Sequence, residues 1–261
     1  MPALCGMACG RFGRMGAIGA VSYNPLGALG SDLLAWWDAD PSYWGAKGSI
    51  ALGPTRVSSW SDVVGGYNMA NSDVTEGTRP IWSASQFNGG YGVTFDGVDD
   101  LLALSTAPSQ FPGSANPSEL WVLAQNDATA GARIFFGYGA SNTTGRSVGV
   151  NSTTARAYTG DGTGFINTDF AVGGFTTGSR GVERGQFGAT QTTGTFNGAT
   201  PVSNIVVPST TLTRLRVGAG PTGTAGANFA QGTVVAAIIT NPLGSDRAPA
   251  LQTWLISRRR P

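Results

Sequence analysis

Glycine sets the grain of this sequence. Forty of its 261 residues are Gly, and with Thr, Ser and Asn they cut the apolar residues into short runs along the whole length. Runs of that kind suit strands joined by turns rather than helices. The 41% hydrophobic content can close one sizeable core, and a single all-β sandwich commonly reaches about 200–250 residues. The expectation is one all-β domain over residues 31–261, preceded by a Gly/Ala-rich arm over residues 1–30 with no acidic residue before Asp32. An arm of that composition cannot bury enough surface to fold alone, so it stays disordered or orders by docking. Leu4, Met7, Phe12, Met15 and Ile18 would be awkward in water, which favours docking.

From Leu33 onward the chain reads as strands. Leu33–Trp37 opens the domain, Val57–Trp60 follows a Gly/Pro loop, and Tyr91–Phe95 alternates cleanly before a turn at Asp96-Gly97. Leu120–Ala124 and Arg133–Tyr138 are more continuously apolar, as central strands are. Weaker, alternating strands follow at Ser147–Asn151, Ala155–Thr159, Asp169–Gly174, Gly185–Ala189 and Gly194–Asn197, with one solvated face that could be the concave sheet of a sandwich. Asn197-Gly198 signals a hairpin turn, in which both central residues need positive φ. Leu212–Gly218 and Gly232–Thr240 complete the strands. After Pro242 the spacing of Arg247, Leu251, Trp254 and Leu255 predicts one short helix, with Ser245 or Asp246 placed to cap it and Arg258-Arg259-Arg260 as a solvated basic end. Trp36, Trp37, Trp60 and Trp82 are expected in the core, where rings bury large areas.

Charge and reactive residues exclude whole classes of function. Only 12% of residues are charged, the net charge is +1, and Lys47 is the sole lysine, so no field suited to nucleic acid is expected. No membrane insertion is expected either, because no apolar run approaches the roughly 18 residues of a spanning helix. The first thirty residues also lack the apolar run of a secretory signal. Cys5 and Cys9 could pair or stay reduced, and with no other Cys and no His the domain has neither a disulfide framework nor a nitrogen-and-sulfur zinc site. Triads that need His cannot form. Gly137-Tyr138-Gly139 and Gly160-Asp161-Gly162 read as turns, since no helix follows. Glycoside hydrolysis needs two facing carboxyl groups. Between Glu119 and Asp246 the acids are Asp127, Asp161, Asp169 and Glu183, none two positions from another, so no one strand carries a pair. The expectation is no enzyme, no cofactor and no metal; Asp96, Asp99 and Asp100 would brace a turn by accepting backbone amides, and no full calcium ligand set can be assembled around them.

The order of certain segments carries a family resemblance over about Leu33 to Arg259. Leu34-Ala35-Trp36-Trp37-Asp38-Ala39-Asp40 is followed by Val57-Ser58-Ser59-Trp60-Ser61-Asp62, Gly65-Gly66-Tyr67-Asn68-Met69-Ala70 and Arg79-Pro80-Ile81-Trp82. Then come Gly92-Val93-Thr94-Phe95-Asp96-Gly97-Val98-Asp99-Asp100-Leu101-Leu102, Thr195-Phe196-Asn197-Gly198, Leu215-Arg216-Val217-Gly218 and the closing Gly232–Ile239 strand with its helix. This series resembles the laminin G-like, concanavalin A-like jelly-roll domains of bacteriophage structural proteins and bacterial surface proteins. The resemblance implies a sandwich of two antiparallel sheets with a short C-terminal helix. It also implies a phage virion role, as a head decoration, spike or tail-associated protein. Residues 1–30 would then dock on other virion proteins, the jelly roll would face outward for adhesion to host-surface polysaccharide, and trimerisation through the arm would be one outcome. The competing reading is a free or cell-surface lectin of a bacterium. Tyr158, Asn151, Asn167 and Gln186 are polar strand residues of the kind that hold glycans, but nothing selects them, so the ligand site stays unassigned.

Overall fold

The computed structural model describes residues 23–71, 76–87, 90–104, 106–109, 111–113, 116–208, 213–220 and 228–259. Cys5, Cys9, Arg260 and the five apolar residues of the arm lie outside the described residues, and so do the docking and trimer expectations that rest on them. The protein is all-β, built from two antiparallel sheets. One contains β1 (Leu33–Asp38), β5 (Ile81–Phe87), β6 (Gly90–Asp96), β8 (Ser118–Asn126), β13 (Arg180–Phe187), β14 (Gln191–Phe196), β15 (Val202–Ile205) and β17 (Gln231–Thr240). The other runs β12 (Phe165–Asp169), β11 (Thr154–Gly160), β10 (Gly145–Asn151), β9 (Ala132–Gly139), β16 (Leu215–Val217), β7 (Leu102–Leu104), β4 (Asn68–Ala70), β3 (Val57–Ser61) and β2 (Ser49–Leu52). Helix α1 (Pro25–Leu29) precedes β1 and helix α2 (Arg247–Ser257) follows β17.

The sheets face each other across a core that includes Trp37, Trp60, Phe95, Phe135, Phe136, Val148 and Phe187, all at most 1% exposed. Each such side chain stabilises the fold by roughly 1.5–3 kcal/mol relative to leaving it in water. A second core lies on the far side of the first sheet, where Leu29, Trp36, Trp121, Leu123, Ile238, Leu251 and Leu255 pack together. Strand β17 serves both. Its register against β8 shifts between Val234 and Ala236, so Val234 joins the inner core while Val235 and Ala236 both join the outer one, as a bulge allows. Beyond the bulge β17 leaves β6 and pairs with β1.

Several expectations hold in detail. Asn197 (φ 52) and Gly198 (φ 78) form the predicted turn between β14 and β15, and Trp36, Trp37 and Trp60 are buried. Trp82 is half-buried, stacked on Tyr91 at 5.4 Å. Others need correction. Asp169–Gly174 is not a strand: β12 ends at Asp169, and Ala171 (φ 56) turns the chain so that Phe170 and Phe175 both enter the core. Gly181 in β13 and Gly194 in β14 leave room for rings: a Cβ on Gly194 would lie 1.9 Å from the Phe170 ring, and one on Gly181 2.1 Å from the Phe196 ring. Asp246 holds the N-cap position of α2 without a side-chain cap bond. Arg258 is no solvated helix end, since its side chain is 9% exposed and ion-paired with Asp38. Helix α1 has no forerunner in the sequence reading.

Candidate functional site

The second core positions a recess. Because β1 alternates, Trp37 points between the sheets while Trp36 points outward beneath α2. The chain before α1 brings Tyr23, Asn24 and Leu26 to one side, and the loop after β1 brings Ser42, Tyr43 and Gly45 to another. Pro249, Ala250, Thr253, Trp254 and Ser257 of α2 close the third side of a groove of about 1060 Å³. Trp254 is its hub. The indole meets Trp36 and Tyr43 edge-on, each at 5.5 Å, and Tyr23 at 6.1 Å. Tyr23 and Tyr43 are half-buried, and the Tyr23 hydroxyl is buried without a hydrogen-bond partner among the described residues. Burial raises the Tyr23 pKa, with Arg247 opposing.

The groove's floor is locked by a buried ion pair. Arg258 donates to both Asp38 oxygens, at 2.5 and 2.7 Å, and its guanidinium lies over the Tyr43 and Trp254 rings at 4.5 and 4.9 Å. The same Asp38 carboxylate accepts from the Trp36 indole and the Asp40 amide, while the Asp38 carbonyl accepts from the Trp44 and Trp60 indoles. Burial pushes the Asp38 carboxyl up, against Arg258; burial also pulls Arg258 down, but the charge and hydrogen bonds of Asp38, with the charges of Tyr43 and Asp40, together outweigh it and hold the guanidinium above its ordinary value. The pair fixes Tyr43 and Trp254 in place, with the guanidinium lying over both rings.

The residues nominated from sequence do not converge. Tyr158 and Asn167 are cross-strand partners on β11 and β12, but the Tyr158 ring is only 3% exposed and its hydroxyl donates to the Val150 carbonyl. Asn151 stands at the end of β10, and Gln186 is on β13 in the other sheet. Tyr23, Tyr43 and Trp254 were missed because their meeting depends on the segments before β1 and after β17 closing over β1, which no local pattern reveals. Asp96, Asp99 and Asp100 do come together, with carboxylate oxygens within 4.8 Å of one another. Asp96 accepts the Val98 and Asp99 amides, and Asp100 accepts the Asp96 amide and pairs with Arg56 at 3.4 Å. That is the turn-bracing role expected of them. Glu119 and Glu183 stand on the paired strands β8 and β13, but Glu119 lies opposite Gln186, three residues on from Glu183, so their side chains leave opposite faces of the sheet.

Fold and site define a two-sheet β-sandwich with an aromatic-walled groove beneath its C-terminal helix. No protein-family model matches the chain, and no curated protein sequence matches it either. Solved structures do share the fold. A Trypanosoma rangeli sialidase in complex with sialic acid is similar with a TM-score of 0.60 at 15% identity, over 85% of this chain and 32% of the sialidase. An arabinofuranosidase complexed with arabinofuranosyl-α-1,2-xylobiose gives 0.58 at 13% identity, over 78% of this chain and 51% of the enzyme. The chain thus spans about a third and about half of these proteins, and the likeness is one of fold. They bear out the β-sandwich implied by the sequence. They also overturn the expectation of no enzyme: a sialidase and an arabinofuranosidase share this fold.

Proposed function

We propose that this chain is a carbohydrate-binding β-sandwich module of a phage virion, a head decoration, spike or tail-associated protein carried on the particle by its N-terminal stretch, with the groove beside α2 as its glycan site. The observation that carries the glycan reading is the combination of ring faces and polar groups in one recess. A sugar presents apolar C–H faces and hydroxyls together; Tyr23, Tyr43 and Trp254 suit the former, while Ser42, Thr253 and the unpaired Tyr23 hydroxyl suit the latter. A volume of about 1060 Å³ suits more than one sugar ring. That the similar sialidase and arabinofuranosidase were solved with sugars bound supports this reading. The virion reading is supported by the Gly/Ala-rich arm joined to a module resembling those of phage structural proteins.

The test is a glycan array with the full-length protein, followed by titration of the best binder against Tyr43→Ala. We expect that variant to lose about tenfold in affinity, the scale of one stacked ring. Silence across the array would sink the glycan reading, and undiminished binding by Tyr43→Ala would move the site elsewhere. Immunogold electron microscopy of particles from the native host should label the virion surface. Label confined to the bacterial cell surface would instead favour the free or cell-surface lectin.

A further inference from the structure

We infer that the opposite flank of α2 is a second subsite of the same glycan site, built to take the carboxylate of an acidic sugar. The inference rests on the glycan reading above and names the class of glycan. A cleft of about 420 Å³ lies between α2 and the β13–β14–β15 edge, with Arg184, Thr195 and Gln252 in its lining and the Asn197-Gly198 turn at its mouth. It is built, not incidental. Gln252 is 7% exposed and Thr195 5%, and the Gln252 Nε2 and Thr195 Oγ1 atoms are buried without a hydrogen-bond partner among the described residues. Buried polar atoms are nearly always paired, and two orphans in one lining are what a missing ligand leaves behind. Gly198 carries no side chain above that amide; a Cβ there would sit 3.9 Å from Gln252 Nε2.

The chemistry asks for a negatively charged acceptor. Arg184 is the one charged residue among the described residues lining the cleft. Its Nε and Nη2 donate to the buried Glu119, at 3.2 and 2.6 Å, and a guanidinium has five N–H bonds in a fork matched to carboxylates, more than Glu119 uses. The Arg184 fork, the Gln252 amide and the Thr195 hydroxyl together can donate to both oxygens of a carboxylate. Glu119 offsets part of the Arg184 charge, so affinity for a single sugar should be in the millimolar range. Pro249 and Thr253, one helical turn apart, line both the groove and the cleft. One polysaccharide can therefore cross α2 there, laying a ring face on one side and a carboxylate on the other.

The experiment is a titration of isotope-labelled full-length protein with sodium glucuronate and, in parallel, with methyl glucoside, following the side-chain amide of Gln252 and the indole of Trp254 by NMR. The Gln252 amide should shift saturably with glucuronate and about tenfold more weakly with the uncharged sugar. Gln252→Leu and Thr195→Val should abolish the glucuronate response while leaving the Trp254 response to a neutral glycan intact. Arg184→Met strips Glu119 of its partner and tests folding instead, so it is not the variant of choice. A silent Gln252 amide, or equal shifts with both sugars, overturns the subsite. If Trp254 still responds in that case, the groove reading stands without it.

Discussion

Glu183 lies between the two sheets, wholly buried, and neither carboxyl oxygen has a hydrogen-bond partner among the described residues. Burial raises its pKa well above the ordinary value, with the Gly149 amide pulling the other way. Between the unfolded and the folded pKa the folded protein holds a proton there that the unfolded chain releases, so stability from this site is complete below the unfolded pKa and falls as pH rises above it. Glu183→Met should stabilise the protein by about 1–3 kcal/mol at pH 7 in urea unfolding, since it removes both the proton uptake and the orphaned oxygens. A destabilised variant would mean that Glu183 has a partner in solution. Asp100 follows the same sign with a nearer window. Burial, and then the charge of Asp96, raise it to about 7, against about 3.9 in an unfolded chain. Its contribution should drain away between about pH 4 and 7, and Asp100→Asn should flatten the fall of melting temperature from pH 5 to 8; an unchanged slope would assign that fall to Glu183.

At the scale of elements, α2 is held by the clasp between Arg258 and Asp38 as much as by its apolar face. Arg258→Met leaves Asp38 buried among three indoles without its cation, so unfolding should cost about 3–5 kcal/mol less than in the parent, and adding Asp38→Asn should recover part of that loss. Full additivity in this double-mutant cycle would show that the pair does not couple. Gly194→Ala should be comparably severe, because the Phe170 ring occupies the space of its Cβ. These two cases also mark where the sequence was legible. Strands such as β6 and β17, the Asn197-Gly198 turn and the amphipathic α2 were readable because each is fixed by alternation, a φ requirement or helical spacing within a few residues. Arg258 read as solvated because its partner lies 220 residues away, and the need for glycine at Gly194 was invisible because the ring that excludes its side chain arrives from a separate loop. The groove belongs to the same illegible kind, since Tyr23 and Trp254 mean nothing locally.

For the whole molecule, the two cores make the first sheet a shared wall, and the segments from Tyr23 to β1 and from β17 to Arg259 pack on its outer side. Residues between Tyr23 and Gly30, assigned to the arm by composition, contribute Leu29 at 2% exposure to the outer core and Tyr23 and Leu26 to the groove. A chain starting at Ser31 should therefore differ from one starting at Tyr23 in two ways at once. It should lose about 2–5 kcal/mol of stability, on the scale of emptying a large buried side chain. It should also lose glycan affinity beyond what stability explains, because one wall of the groove is gone while Tyr43 and Trp254 remain. Calorimetry and glycan titration on the two truncated chains separate these effects. Equal melting temperatures would show that α1 does not hold to the sandwich in solution. Equal affinities with unequal melting would keep the packing and take the groove's N-terminal wall out of ligand binding, leaving α2 and the cleft beyond it as the surface that meets the sugar.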